Sequence, residues 1–204
     1  MNGKRRDNDI DDHFPVFRSD AFRRLPYEAR GFIILVHEGV LPVANFRADE
    51  DLQSEVKVLL GMLGISYEKS EYNEEHGSGA TFFISKSKFK AKRLARLDWV
   101  FSKGWVDESG ILSSEAGTLY GIPPCCMKSY LQMSKDKEAS KSASASQYYH
   151  DYPKEFRYLF YVPCSEGCIE SIKLGREIKL VLERLDPDAS AKWKEDSPVE
   201  KIFP

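Results

Sequence analysis

RGFIILVHEGVLPV, residues Arg30 to Val43, decides how the first half of the chain is read. Its apolar run Phe32, Ile33, Ile34, Leu35 and Val36 is broken at Glu38 and Gly39 and resumes at Val40, Leu41 and Val43. That pattern is expected of two buried strands around a tight turn, a β-hairpin. From Asp49 the periodicity changes: Leu52, Val56, Leu59, Leu60 and Leu63 form a 3.6-residue stripe, with acidic residues in the first turn and Gly64 where a C-terminal cap belongs. Residues 65–72 and 80–85 read as two further strands joined around Gly77-Ser78-Gly79, and Lys86 to about Lys103 as a second helix.

The expected fold class is therefore α+β: a small N-terminal β-β-α-β-β-α layer domain over residues 25–105, preceded by a charged extension, 1–24. Beyond Gly104 the pattern becomes helical. Pro124 suits the first turn of a helix through Cys125, Cys126, Met127, Tyr130 and Leu131. A short helix is expected after Pro153. A final helix is expected from near Ser165, with Leu174, Ile178, Val181, Leu182 and Leu185 as its stripe and Pro187 beyond its end. This gives a helical cysteine domain over 106–187 and a C-terminal tail over 188–204, whose Trp193, Ile202 and Phe203 suit folding back or docking. Within the domain, Ser134 to Gln147 has no apolar side chain larger than Ala and is expected to be a mobile loop.

The 204 residues are 42% hydrophobic and 30% charged, with a net charge of −2, which excludes collagen-like, wholly disordered and disulfide-framework classes. Attraction to a polyanion has to come from a local patch. The longest apolar stretch is far short of the roughly 20 residues of a membrane span. The charged N-terminus lacks the apolar segment of a secretory signal, so a cytoplasmic protein is expected, with thiols in preference to disulfides. The sequence has no P-loop, G-x-G-x-x-G, H-E-x-x-H or G-x-S-x-G motif, nor the C-x-x-x-C-x-x-C of radical enzymes, since Cys168 is followed by Ile169, Glu170 and Ser171.

All four cysteines lie between Cys125 and Cys168, as an adjacent pair (Cys125, Cys126) and a C-x-x-x-C pair (Cys164, Cys168). Each pair follows proline and falls at an expected helix start, where free amides and the helix dipole favour the thiolate that a metal ligand or nucleophile needs. Helix starts packed side by side would bring the four sulfurs together. Cys164 and Cys168 have a zinc-type spacing and the adjacent pair does not. Neighbouring helical side chains diverge by about 100°, which suits several iron atoms better than one ion. Zinc and an iron–sulfur cluster both stay open as the cofactor, as do buried core thiols, reactive thiols and disulfides. His150, in Tyr149-His150-Asp151-Tyr152, is a further candidate ligand or an exposed turn residue, while His13, His37 and His76 have no partners in sequence.

The segments Gly121-Ile122-Pro123-Pro124-Cys125-Cys126, with Tyr130 four residues on, and Pro163-Cys164-Ser165-Glu166-Gly167-Cys168-Ile169-Glu170-Ser171 resemble the signature of an uncharacterised prokaryotic family, mostly archaeal, known as a domain of unknown function. The resemblance implies that the four cysteines act as a unit. It brings no substrate or reaction with it.

The second helix is basic: Lys86, Lys88, Lys90, Lys92, Arg93, Arg96 and Lys103 against Asp98. All but Lys90 project onto one arc with Phe89 and Trp99, opposite Ala91, Leu94, Ala95, Leu97 and Phe101. Cations interleaved with aromatics suit phosphate contact and base stacking, and Lys88, Lys92, Arg93 and Arg96 are the candidate nucleic-acid contacts; a solvated helix face has the same pattern. Three functions are thus carried forward. One is a metal or cluster protein acting on or with RNA. Another is an RNA-binding or ribonucleoprotein accessory module with structural cysteines. The third is a thiol redox protein.

Overall fold

The computed structural model describes residues 14–74, 77–104, 107, 109–135 and 153–195. Short helices α1 (Phe14–Phe17) and α2 (Asp20–Arg23) lead into α3 (Tyr27–Glu38), β1 (Ala44–Asp49), a 3-10 turn (Glu50–Leu52) and α4 (Gln53–Met62). The strands β2 (Ser66–Glu74) and β3 (Gly77–Ser85) follow, then α5 (Lys88–Ser102), α6 (Ile111–Tyr120) and α7 (Pro124–Lys135). A 3-10 turn (Lys154–Tyr158), α8 (Ile169–Leu185) and α9 (Pro187–Glu195) complete the order.

The stretch expected as a hairpin is the helix α3, and the glycine read as its turn is the helix C-cap. Gly39 has φ 77°, its N–H reaches Val36 O at 3.2 Å, and Val40 N–H reaches Leu35 O at 2.9 Å, the two bonds of a Schellman motif. Glycine serves both roles, and a short all-apolar run has no period that separates a buried strand from a buried helix. Burial settles it. Ile33, Ile34, Leu35 and Val36 are all inaccessible, because α3 packs on β1 and β3 on one side and on α8 and α9 on the other. A helix covered all round needs apolar residues all round.

The mixed helix-and-strand class is as expected, but the β-β-α-β-β-α order is not observed, since the first strand pair is replaced by α3 and β1. The sheet has three strands in the order β1-β3-β2, all antiparallel. Glu74 pairs with Gly77, so Gly77, Ser78 and Gly79 belong to β3 and not to the turn. Alternation sorts the two faces. Phe46 and Phe82, paired in register and stacked at 5.8 Å, join the main core with Ala44, Ala80 and Ile84. Phe83 points the other way, to Val43, Leu94 of α5 and the fringe residues Leu119 and Tyr120 of α6.

The main core runs without a break from Val16 to Trp193. Residues 14–24, read as part of an extension, place Val16, Phe17 and Phe22 in it, and residues 188–195, read as part of a tail, place Ala189 and Trp193 there. Trp193 lies against Gly31, where any Cβ would strike the indole ring. Asp186 receives the N–H of Ala189 at 3.0 Å and faces Arg30 at 3.3 Å, which ties the start of α9 to α3. Ser134 and Lys135, expected in a mobile loop, close α7; the rest of that stretch, His13, His76 and His150 lie outside the described residues. Among the described residues, no helix is long and apolar enough to cross a membrane.

Candidate metal centre

Pro124 opens α7, and the N–H groups of Cys126 and Met127 both bond to Pro123 O, at 2.9 and 3.0 Å. Cys125 and Cys126 therefore occupy its first turn. The last helical element with a cysteine starts later than the sequence suggests. Cys168 is the N-cap of α8, and Cys164 to Gly167 form a turn before it, closed by Cys168 N–H to Ser165 O at 3.2 Å. That turn, being non-helical, swings Cys164 back beside Cys168.

The four sulfurs converge. Their Sγ atoms all lie within 4.8 Å of one another. Cys125 to Cys126 is 3.9 Å, Cys125 to Cys168 is 3.8 Å and Cys126 to Cys168 is 3.6 Å. Cys125 and Cys126, expected to diverge as helical neighbours, nevertheless hold their sulfurs 3.9 Å apart, because adjacent Cα atoms are only about 3.8 Å apart and first-turn side chains can still close on one point. All four cysteines are free thiols, none at the ~2.05 Å of a disulfide.

Burial grades the set: Cys126 and Cys168 are buried and Cys125 is exposed. Burial pushes the Cys126 thiol up to about 12, against the opposing pull of Ser171 and of the Cys164 N–H, 3.4 Å from its sulfur. Burial also raises Cys168, but hydrogen bonds from Ser171 and the Cys126 and Cys164 thiols outweigh it and bring Cys168 down to about 7. Burial raises Cys164. Cys168 is thus drawn toward the thiolate beside Cys126 and Cys164, which burial holds toward the thiol. A cation at the centre is the group that would let all four ionise.

Two residues beneath the sulfurs were not singled out from the sequence. Ser171, fully buried on α8, donates to Cys168 Sγ at 3.2 Å and lies 3.3 Å from Cys126 Sγ. The Tyr161 phenol donates to Ser171 Oγ at 3.0 Å, and burial raises the Tyr161 hydroxyl, which keeps it a donor. The legible signal was the Cys-x-x-Ser spacing at the start of α8, which puts Ser171 over Cys168.

The basic candidates divide. Arg93 grips Glu115 of α6 with both ends of its guanidinium, at 2.5 and 2.6 Å, which holds that carboxyl below its ordinary range. Lys88, Lys92 and Arg96 are exposed, as are Phe89 and Trp99 beside them. Among the described residues none of these bonds to the cysteines or pairs with them, and the chain presents two separate candidate sites. His37 contacts Glu38 at 3.1 Å, away from the sulfurs.

Compared with family models, curated proteins and solved structures, the chain finds no match, and the chemistry of both sites rests on their own geometry.

Proposed function

We propose that this is a metal-binding protein whose Cys125, Cys126, Cys164 and Cys168 hold a single tetrahedral ion, zinc, in a closed structural centre. The sulfur spacing carries the reading. Bonds of ~2.3 Å from one Zn²⁺ at the tetrahedral angle place sulfurs ~3.8 Å apart; the three pairs among Cys125, Cys126 and Cys168 span 3.6 to 3.9 Å, and all four sulfurs lie within 4.8 Å of one another. An iron–sulfur cluster puts its cysteines on different irons and needs ligands further apart. Four thiolates fill all four positions, which leaves none for substrate or water and favours a structural role over catalysis.

The test is metal and sulfide analysis of protein purified without added metal. One zinc per chain, replaceable by cobalt(II) with the intense visible bands of a tetrahedral thiolate site, is the expected result. Iron with acid-labile sulfide in stoichiometric amount would overturn zinc in favour of a cluster. Absence of any thiophilic metal, with four titratable thiols, would return the cysteines to a redox or packing role.

A second reading, contact with RNA along α5, is favoured by one observation: Phe89 is 76% and Trp99 58% exposed on a cationic helix face. Large aromatic surface left in water beside Lys and Arg suits a partner with both phosphates and rings.

A further inference from the structure

We propose that the outward face of α5 is a docking strip for single-stranded RNA, read by stacking on Phe89 and Trp99 and by phosphate contact from Lys88, Lys92, Arg96 and Lys103. The proposal rests on the RNA reading above and names the form of RNA and the residues. At 3.6 residues per turn these six side chains fall within about 100° of arc. Ala91, Leu94 and Leu97, buried beneath the helix on the sheet side, lie opposite. The strip is therefore the part of α5 turned furthest from its own protein.

Its charge is uncompensated. Among the described residues, Lys88, Lys92 and Arg96 have no carboxylate partner, whereas Arg93 at the edge of the arc is held by Glu115. Asp98, the one acid of the helix, projects away from the strip and lies in the field of Arg47. Lys103 Nζ sits 5.9 Å from the centre of the Trp99 ring, so that the ring already has a cation over one part of it. Of the contacts expected from sequence, Arg93 drops out, and Phe89, Trp99 and Lys103, already on the same arc, complete the strip.

The spacing fits a strand. Phe89 and Trp99 are ten residues apart, about 15 Å along the axis at 1.5 Å per residue, or roughly four to five nucleotides at ~3.4 Å per phosphate of one stacked strand. Exposed bases can reach both rings; a duplex keeps its bases paired inside and offers only phosphate and sugar edges. A membrane surface suits the strip poorly, because the apolar face of α5 is already buried on β2 and β3 and the outward face has only two separated rings among cations. An acidic protein would match the charge but would leave the rings without a role.

The experiment measures fluorescence anisotropy of a labelled 12-nucleotide oligouridylate, a 12-base-pair RNA duplex and inorganic polyphosphate with the full metal-loaded chain. The single strand is expected to bind at least 10-fold tighter than the duplex, with a log–log salt slope near −3, about 0.7 for each of four phosphate contacts. Phe89→Ala with Trp99→Ala should weaken single-strand binding by about 10-fold or more, Lys92→Glu with Arg96→Glu should do so by a steeper salt-dependent factor, and Arg93→Ala should change it less than 2-fold. Quenching of wild-type tryptophan fluorescence by the oligouridylate, lost in Trp99→Phe, supports stacking without an alanine variant. Equal binding of strand and duplex, both tighter than polyphosphate, would overturn the single-strand proposal and leave the RNA reading standing; polyphosphate binding as tightly as both, insensitive to the two rings, would overturn both. No binding of any of the three would overturn both.

Discussion

Removing the Ser171 hydroxyl is the sharpest perturbation of the cysteine centre that leaves all four ligands in place. In Ser171→Ala the Tyr161 phenol, only 6% exposed as a residue, loses its acceptor at 3.0 Å, and Cys168 loses a donor at 3.2 Å. A stranded buried donor costs about 1–3 kcal/mol. The lost support of a thiolate ligand adds the usual outer-shell penalty, about 10- to 100-fold in metal affinity. Tyr161→Phe removes only the outer donor and leaves the Ser171-to-Cys168 bond, so about 0.5–1.5 kcal/mol of stability should go with little change in metal affinity. In the double variant no phenol is stranded, so its destabilisation should fall short of the sum of the two by about 1–2 kcal/mol. Urea unfolding at fixed free zinc gives the stabilities, since zinc stabilises the folded state by mass action and its level must not vary. Competition with a chromophoric chelator gives the affinities. Additive stabilities with an unchanged zinc affinity in Ser171→Ala would refute the coupling of this hydroxyl to the sulfurs.

Asp186→Ala breaks a buried pair with Arg30 and removes the carboxylate that caps α9, and should lower stability by about 3–5 kcal/mol; Asp186→Leu with Arg30→Met should recover much of it in thermal melts. Gly31→Ala drives a methyl into the Trp193 ring and should cost about 1–3 kcal/mol, with tryptophan emission shifted to the red. The hydrogen bond from His37 holds the Glu38 carboxyl below its ordinary range, against burial, with Arg184 adding to it. The stability gained is present above the unfolded carboxyl value of about 4.3 and lost as pH falls through the lower folded value. The deficit of Glu38→Gln in urea midpoints should therefore be full at pH 6–7 and shrink on acidification below about pH 4. Chelation of the metal should abolish hydrogen-exchange protection in α7 and the first turn of α8 while β3 stays protected; loss of protection in β3 as well would mean that the whole fold depends on the metal.

What the sequence disclosed was what local chemistry encodes. The stripe from Leu52 to Leu63 with Gly64 behind it, the β2–β3 pairing, and Pro124 at the start of α7 all follow from periods and caps that need no tertiary knowledge. The clustering of the cysteines was legible for the same reason: proline and helix starts mark both pairs. Arg30 to Val43 was misread because its residues serve either a strand or a central helix, and only the arrival of Trp193, more than 150 residues later, settles which. The same indole takes the first of the two alternatives open to the tail, folding back into the core. For Ser171 the spacing from Cys168 is legible in sequence, but what its hydroxyl does shows only when two sulfurs and a phenol gather around it.

The placement of the centre explains why four cysteines stand where ordinary caps would. The first turn of α7 has proline and cysteine in place of the Ser, Thr, Asp or Asn that usually satisfies free amides there, and α8 is capped by Cys168. Among the described residues α7 packs chiefly on α6, which rests on α5 and on the outer face of the sheet and meets the main core through Tyr120 and Phe160. Cys126 and Cys168, however, belong to that core. The sulfurs therefore form a direct link between α7 and the body built around α3 and α8. On the proposed reading, four thiolates closed around one ion would convert that link from a few sulfur contacts into a much stronger staple, anchored on α8 through Ser171. A catalytic centre would need a free coordination position, whereas the proposed staple would need all four filled, and four sulfurs within 4.8 Å of one another suit that reading.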